Sequence, residues 1–155
     1  MHRLPPGGLF VRPTILVDTR EQAPLIFSDD VETQRATLPT GDYSIAGHSD
    51  RIVFERKSLA DLVQCCTSER ERFMDQCRRL GGYERAAVVV EACVSDVLAK
   101  VYRGNTSPRS VIGTANAIWL DYRVPVFWLM NPDVAARAVE RMLVRFARNA
   151  AVRAA

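Results

Sequence analysis

Asp42, Glu55 and Lys57 are the residues of this chain whose types and spacing could do chemistry. Glu55 and Lys57 lie in Arg51-Ile52-Val53-Phe54-Glu55-Arg56-Lys57, which reads as the returning strand of a hairpin. Tyr43-Ser44-Ile45-Ala46 reads as its first strand and Gly47-His48-Ser49-Asp50 as its turn. Side chains alternate faces along a strand, so Glu55 and Lys57 point one way and Arg56 the other, with Asp42 where the hairpin begins. Two carboxylates can hold a hard divalent cation through oxygen. Such a cation polarises a phosphate and lowers the pKa of its bound water, while a lysine steadies the developing negative charge. This is equipment for metal-dependent phosphodiester cleavage. The same residues have a plainer reading, in which Asp42 is a turn residue and Glu55 and Lys57 a solvated pair. Composition raises the first: of 21 basic residues only Lys57 and Lys100 are lysines, so arginine would be the ordinary choice at a generic basic position.

Several elements are needed to position this group. Thr14-Ile15-Leu16-Val17 is a short β-branched apolar run, expected as a buried strand, and it ends in Asp18-Thr19-Arg20-Glu21. Polar groups at a strand's end are where α/β sheets build ligand sites, although a solvated loop is the plainer reading of Asp18 and Glu21 taken alone. Pro24 argues for loop from 22 to 30, and Thr33–Leu38 reads as another strand leading to Gly41-Asp42. Ser58 is the expected N-cap of a helix reaching Cys66, with Asp61 at the third position beside the helix's positive end. A second helix is predicted over Glu69–Leu80, with Phe73, Met74, Cys77 and Leu80 inward and Arg70, Arg72, Arg78 and Arg79 more readily a solvated face than a DNA grip. Gly81-Gly82 stops it.

Ala86–Val90 reads as a buried strand closed by Glu91, and 102–109 as a polar loop holding Arg103. Ser107-Pro108 opens a helix whose Val111, Ala115, Ile118 and Tyr122 form one stripe. Val124–Leu129 is the last expected strand. Asn131-Pro132 opens a final helix to about Ala150, with Val139, Met142, Leu143 and Phe146 inward. Arg137, Arg141 and Arg145 recur every four residues on its other side, as a solvated face or a phosphate-tracking ridge. Strands first, then strands alternating with helices, predict an α/β fold around a central mixed sheet.

The chain has 155 residues, 48% of them apolar, enough for one core and one domain. No apolar run approaches membrane-spanning length and no signal-peptide pattern is visible, so a soluble cytoplasmic protein with no membrane partner is expected. Cys65, Cys66, Cys77 and Cys93 lack metal-ligand spacing and read as reduced structural thiols. The net charge of +3 is uneven. From Val134 onward five arginines face one acid, Glu140, giving +4 and leaving −1 for the rest. A near-neutral body with a carboxylate cluster beside a basic C-terminal stretch suits a polyanionic substrate.

With these residues laid out, the chain resembles the nuclease domain of the XPF family of structure-specific endonucleases. That family's signature is Gly-Asp, a variable gap, Glu-Arg-Lys, three residues and Asp, and it stands here as Gly41-Asp42, Glu55-Arg56-Lys57 and Asp61. The upstream Asp18-Thr19-Arg20-Glu21 matches an Asp-x-Arg-Glu at a strand end. Arg72-Phe73, the run from Ser107 to Gly113 and Tyr122-Arg123-Val124-Pro125-Val126 extend the likeness over about residues 14 to 145. The expected organisation is an irregular lead-in over 1–13 and one nuclease domain over 14–150, with no helix-hairpin-helix pair and no helicase portion.

The resemblance implies a restriction-endonuclease-like, PD-(D/E)xK fold and dependence on Mg²⁺ or Mn²⁺. By it, Asp18, Asp42 and Glu55 would bind the metal and Lys57 would stabilise charge. Glu21 and Asp61 would add carboxylates, Arg20 and Arg56 would support the site, and Arg72, Arg103 and Arg109 would contact DNA. The implied activity is that of a DNA endonuclease on branched, flapped or forked DNA in repair, recombination or replication. The alternatives are a non-catalytic DNA-binding or scaffold partner of an active nuclease, and a sequence-specific nuclease of the same chemistry. Helices Ser107–Tyr122 and Asn131–Ala150 could supply a homodimer face. A domain of this size resembles compact bacterial or phage members, which implies a cytoplasmic, nucleoid-associated protein.

Overall fold

The computed structural model of the protein describes residues 11–155, so most of the expected 1–13 lead-in lies outside the described residues. Strand β1 (Thr14–Asp18) is the buried run anticipated from its β-branched sequence. It pairs in parallel with β2 (Glu32–Ala36) and antiparallel with β3 (Tyr43–Ile45). Strand β4 (Ile52–Lys57) follows β3 antiparallel, and β5 (Arg85–Val90) and β6 (Val126–Trp128) add to it in parallel. The result is one mixed six-stranded sheet in the order β2-β1-β3-β4-β5-β6. Residues Val88, Val89 and Val90 are inaccessible on both faces, as a parallel strand covered on each side requires. β2 is an edge strand whose Glu32-Thr33-Gln34-Arg35 stays exposed.

The pleat sorts the core into two layers. On one face Leu16, Val53, Val88 and Val90 pack beneath helices α1 (Leu59–Gln64), α2 (Arg70–Leu80), α3 (Val94–Leu98) and α4 (Pro108–Tyr122). On the other, Ile15, Val17, Tyr43, Phe54 and Val89 meet Ala135, Val139 and Leu143 of the long helix α5 (Pro132–Ala154). Three helix starts follow the expected chemistry. Ser58, Ser107 and Asn131 accept bonds from the backbone N–H groups of Asp61, Ser110 and Val134, with Pro108 and Pro132 in the first turns behind the last two. Among the described residues, no helix is long and apolar enough to cross a membrane.

Some elements differ from expectation. α3 had no counterpart in the sequence reading, because five residues are too few to show a period. It is set by Asp96, whose carboxylate accepts from the N–H of Cys93 at 2.7 Å. β6 is only half the length anticipated; Pro125 has no N–H to give, and Met130 turns the chain with φ 61°. α2 does end at Gly81, but in ordinary helical geometry at φ −62° and not through a left-handed glycine. The reason for glycine there is contact: a Cβ on Gly81 would lie 2.6 Å from the carbonyl oxygen of Tyr122, at the end of α4.

Two alanine substitutions should therefore act in opposite directions. Gly81→Ala must push α2 off α4 and should lower unfolding stability by about 1–3 kcal/mol. Gly113→Ala places a methyl in open space on α4 and should raise it by about 0.5–1 kcal/mol. Urea denaturation of the two variants is the check; a Gly81→Ala protein as stable as the parent would refute the contact.

Candidate active site

Just ahead of β3, where the chain crosses β4, the backbone brings two carboxylates together. Gly41 sits at φ +79° with Val53 Cγ2 only 2.3 Å from where a Cβ would be, so the chain before β3 passes flat against β4. Asp42 N–H then donates to Phe54 O at 2.8 Å, and Asp42 O accepts from Asp18 N–H at 2.8 Å. The Asp42 carboxylate reaches over β4, where its Oδ2 accepts from the N–H of Arg56 at 2.8 Å. Glu55 and Lys57 share the α1/α2 face of β4, as the alternation predicted. Lys57 Nζ lies 2.8 Å from Glu55 Oε1 and 5.3 Å from the centre of the Phe73 ring.

These groups line an open cavity of about 500 Å³ between the segment ahead of β3, the end of β4 and α1–α2. Arg20, Asp42, Glu55, Lys57, Asp61 and Arg72 all border it, so six of the residues singled out in the sequence meet here. Thr40, Gln64, Gln76 and Arg79 border it too and were not anticipated as site residues. A signal for the last two existed: Arg72, Gln76 and Arg79 follow one helical stripe, which turns half of the expected solvated face toward the cavity.

The remaining site candidates are placed elsewhere. Asp18, read as a metal ligand, is fully buried on the same sheet face but does not border the cavity. Its Oδ2 is bound by Arg20 Nε at 2.7 Å, and its Oδ1 accepts from Arg20 Nη2 and from the N–H of Leu38, both at 3.1 Å. Burial pushes this carboxyl up, but the Arg20 and Leu38 hydrogen bonds outweigh burial and hold it below the ordinary range. Glu21 lies on the other side of the sheet, accepting from Tyr43 Oη at 2.6 Å and Arg56 Nη1 at 3.1 Å. Arg56 also pairs with Glu91 and donates to Ala23 O, so its side chain serves the loop beneath the site while its backbone holds Asp42. Arg103 and Arg109 are exposed near the start of α4 and do not border the cavity.

The electrostatics of the pair are those of a site short of positive charge. Burial first, and then the charge of Glu55, push the Asp42 carboxyl up to about 8. Glu55 Oε2 is buried with no hydrogen-bond partner. Burial opposes the charge on Lys57, yet the Glu55 carboxylate beside it prevails and holds its pKa above the ordinary lysine value. A divalent cation fits such a pair, satisfying the orphaned oxygen and replacing the proton on Asp42. Among the described residues no three His, Cys, Asp or Glu side chains gather into one metal-holding group. Protein ligation would thus come from Asp42 and Glu55, the small carboxylate complement that Mg²⁺ commonly accepts beside water and phosphate oxygens.

Comparison with known proteins agrees with the geometry. The ERCC4 domain family matches residues 17–142, from within β1 to within α5. The chain belongs to the XPF nuclease family, as an ERCC4 domain. It is similar to the solved XPF from Aeropyrum pernix in complex with DNA, at 29% identity and TM-score 0.68, over 89% of this chain and 66% of that one. A second structure of XPF from Aeropyrum pernix matches at 29% identity and TM-score 0.70, over 87% of this chain and 61% of the other. The chain therefore spans just under two thirds of the length of these relatives. A sequence search of curated proteins found no match. The restriction-endonuclease-like fold expected from the signature is the fold of this XPF-family domain, and its Glu-Arg-Lys motif is β4's end.

Without metal, protonated Asp42 should be part of what stabilises the domain. Its folded pKa lies near 8, above the unfolded 3.8, so its contribution is complete below about pH 4 and is lost as pH rises through 8. In chelator, Asp42→Asn should melt several degrees above the parent at pH 9, on the order of 1–2 kcal/mol, and little above it at pH 5. Mg²⁺ or Mn²⁺ should raise the parent's midpoint at pH 8 and leave that of Asp42→Asn nearly still. Thermal melts across this pH range decide it; a parent-to-variant gap that does not grow with pH would contradict the burial argument.

Proposed function

We propose that this domain is a divalent-metal-dependent DNA endonuclease that hydrolyses phosphodiester bonds at branched, flapped or forked DNA. The observation that carries the reading is the meeting of Asp42, Glu55 and Lys57 in an open cavity where a carboxylate oxygen has no partner. DNA bound to the Aeropyrum pernix XPF supports DNA as the ligand here. A Mg²⁺ or Mn²⁺ ion bound there would supply an acidified water and draw charge from the phosphate.

The chain's own groups have distinct tasks. Glu55 gives Oε1 to Lys57 and keeps Oε2 for the cation. Asp42 gives Oδ2 to the Arg56 N–H, which fixes the direction of its other oxygen. Lys57, held protonated through neutral pH, donates to a phosphate oxygen as negative charge builds and does not act as a base. Arg20 is aimed at the cavity by its bonds to Asp18 and Leu38 O, so Asp18 acts through Arg20 and would join the metal ligands only by exchanging that arginine for the cation. Asp61, Arg72 and Arg79 border the path of the strand, with Arg103 and Arg109 as more distant contacts. A second copy of the chain is part of the reading, seated on the exposed Trp119 and Leu120 of α4 and Phe127 of edge strand β6.

Asp42→Asn, Glu55→Gln and Lys57→Ala should each reduce cutting by about a hundredfold or more on a panel of linear, forked, flapped and four-way DNA with Mg²⁺ or Mn²⁺. Chelator should abolish it. Cutting by the variants at the parent's rate would exclude this site. Binding by the parent without cleavage of any substrate would leave the non-catalytic partner in its place.

A further inference from the structure

Helix α5 carries a charged stripe that the proposed catalysis leaves unused. Arg137, Arg141, Arg145 and Arg148 are exposed, and among the described residues none has an acidic side chain within ion-pair distance. Steps of four, four and three keep them on one side of the helix, as a ridge of roughly 16 Å. Arg141, Arg145 and Arg148 form one wall of a groove of about 550 Å³, with Pro13 and Val31 opposite. Two acids border it, Asp30 and Glu140. Glu140 is already engaged, its oxygens accepting from Ser28 N–H at 2.8 Å and Ser28 Oγ at 2.6 Å.

The groove is separate from the carboxylate cavity. α5 lies on the sheet face opposite α1 and α2. Its Phe146 sits 5.1 Å from the Arg51 guanidinium and 5.7 Å from His48, at the turn that precedes β4. Lys57 is at β4's other end, roughly 17 Å along the strand.

We propose that this groove is a second nucleic-acid site, in which Arg141, Arg145 and Arg148 hold the phosphate backbone of a duplex arm flanking the cut. It rests on the reading of the domain as one that works on DNA. Duplex DNA presents one charge per ~1.7 Å of axis, so a ridge of roughly 16 Å faces more phosphates than it has arginines and each guanidinium can find one. An anionic membrane fits less well: α5 spends its apolar stripe, Val139 and Leu143, on the sheet, and the single large apolar side chain it leaves exposed, Val152, is too little to enter lipid.

The test is a salt titration of binding to a labelled 30-base-pair duplex in chelator, by fluorescence anisotropy. Arg141→Ala/Arg145→Ala/Arg148→Ala should make the plot of log affinity against log salt shallower by about 2.7, three contacts at ~0.9 each. Between 50 and 200 mM salt the parent should then lose about 40-fold more affinity than the variant. The triple Arg→Lys variant, which keeps charge and checks folding, should retain the parent's slope. An unchanged slope in the alanine variant overturns the site, as does loss of binding confined to anionic vesicles. Because cleavage is absent from this measurement, a protein that cuts nothing yet loses the slope keeps this groove and removes the nuclease reading. Full cutting with an unaltered slope does the reverse.

Discussion

Asp42 and Glu55 repel one another at the partly buried floor of the cavity, and the surrounding structure is what keeps them from separating. Burial and that repulsion push Asp42 up to about 8 and leave Glu55 Oε2 without a partner. Such a pair is unfavourable in an isolated hairpin, which would open. Here β4 is bonded to β5 along its whole length, Gly41 is pressed against Val53, and the Arg56 N–H holds Asp42 from below. The rigidity of the sheet converts repulsion into affinity for something positive.

β4 performs two tasks because consecutive side chains leave it on opposite faces. Glu55 and Lys57 face the cavity, whereas Arg56 enters the other layer among Glu21, Glu91 and Tyr43. Tyr43 ties Glu21 to the loop, donating to it and accepting from the N–H of Leu25 at 2.9 Å. Buried ion pairs of this kind contribute little net stability, since desolvation opposes their attraction. Their effect here is positional: they fasten the loop after β1 under the strand that carries the carboxylates. Asp18 and Arg20 do the same from the side, one buried acid setting the direction of one exposed guanidinium.

Charge is distributed by the same division of faces. The layer with α1 and α2 gathers carboxylates and their counter-cations around one cavity, and a row of four arginines without acidic partners stands on α5 behind the sheet. A polyanion approaching the first layer therefore meets a mixed field, while one wrapping to the second meets a positive one.

Much of the fold was legible locally. The caps Ser58, Ser107 and Asn131, the alternation of Glu55, Arg56 and Lys57, and the apolar stripes of α4 and α5 each depend on neighbours within about one helical turn or one strand repeat, and the chain itself fixes those. Short α3 escaped because five residues show no period, whereas β6 was expected and is shorter because Pro125 and the turn at Met130 cut it at both ends. The candidate site divides along the same line. Sequence alone determined that a lysine and a carboxylate would stand side by side at a strand's end, with a second carboxylate at a glycine turn. Only the tertiary structure decided that Asp18's oxygens go to Arg20 and Leu38, that Glu21 lies beneath the sheet, and that Gln76 and Arg79 reach the cavity. Competition among donors for a given acceptor is settled by distances through space, and those come into being only when strands remote in the chain are laid side by side.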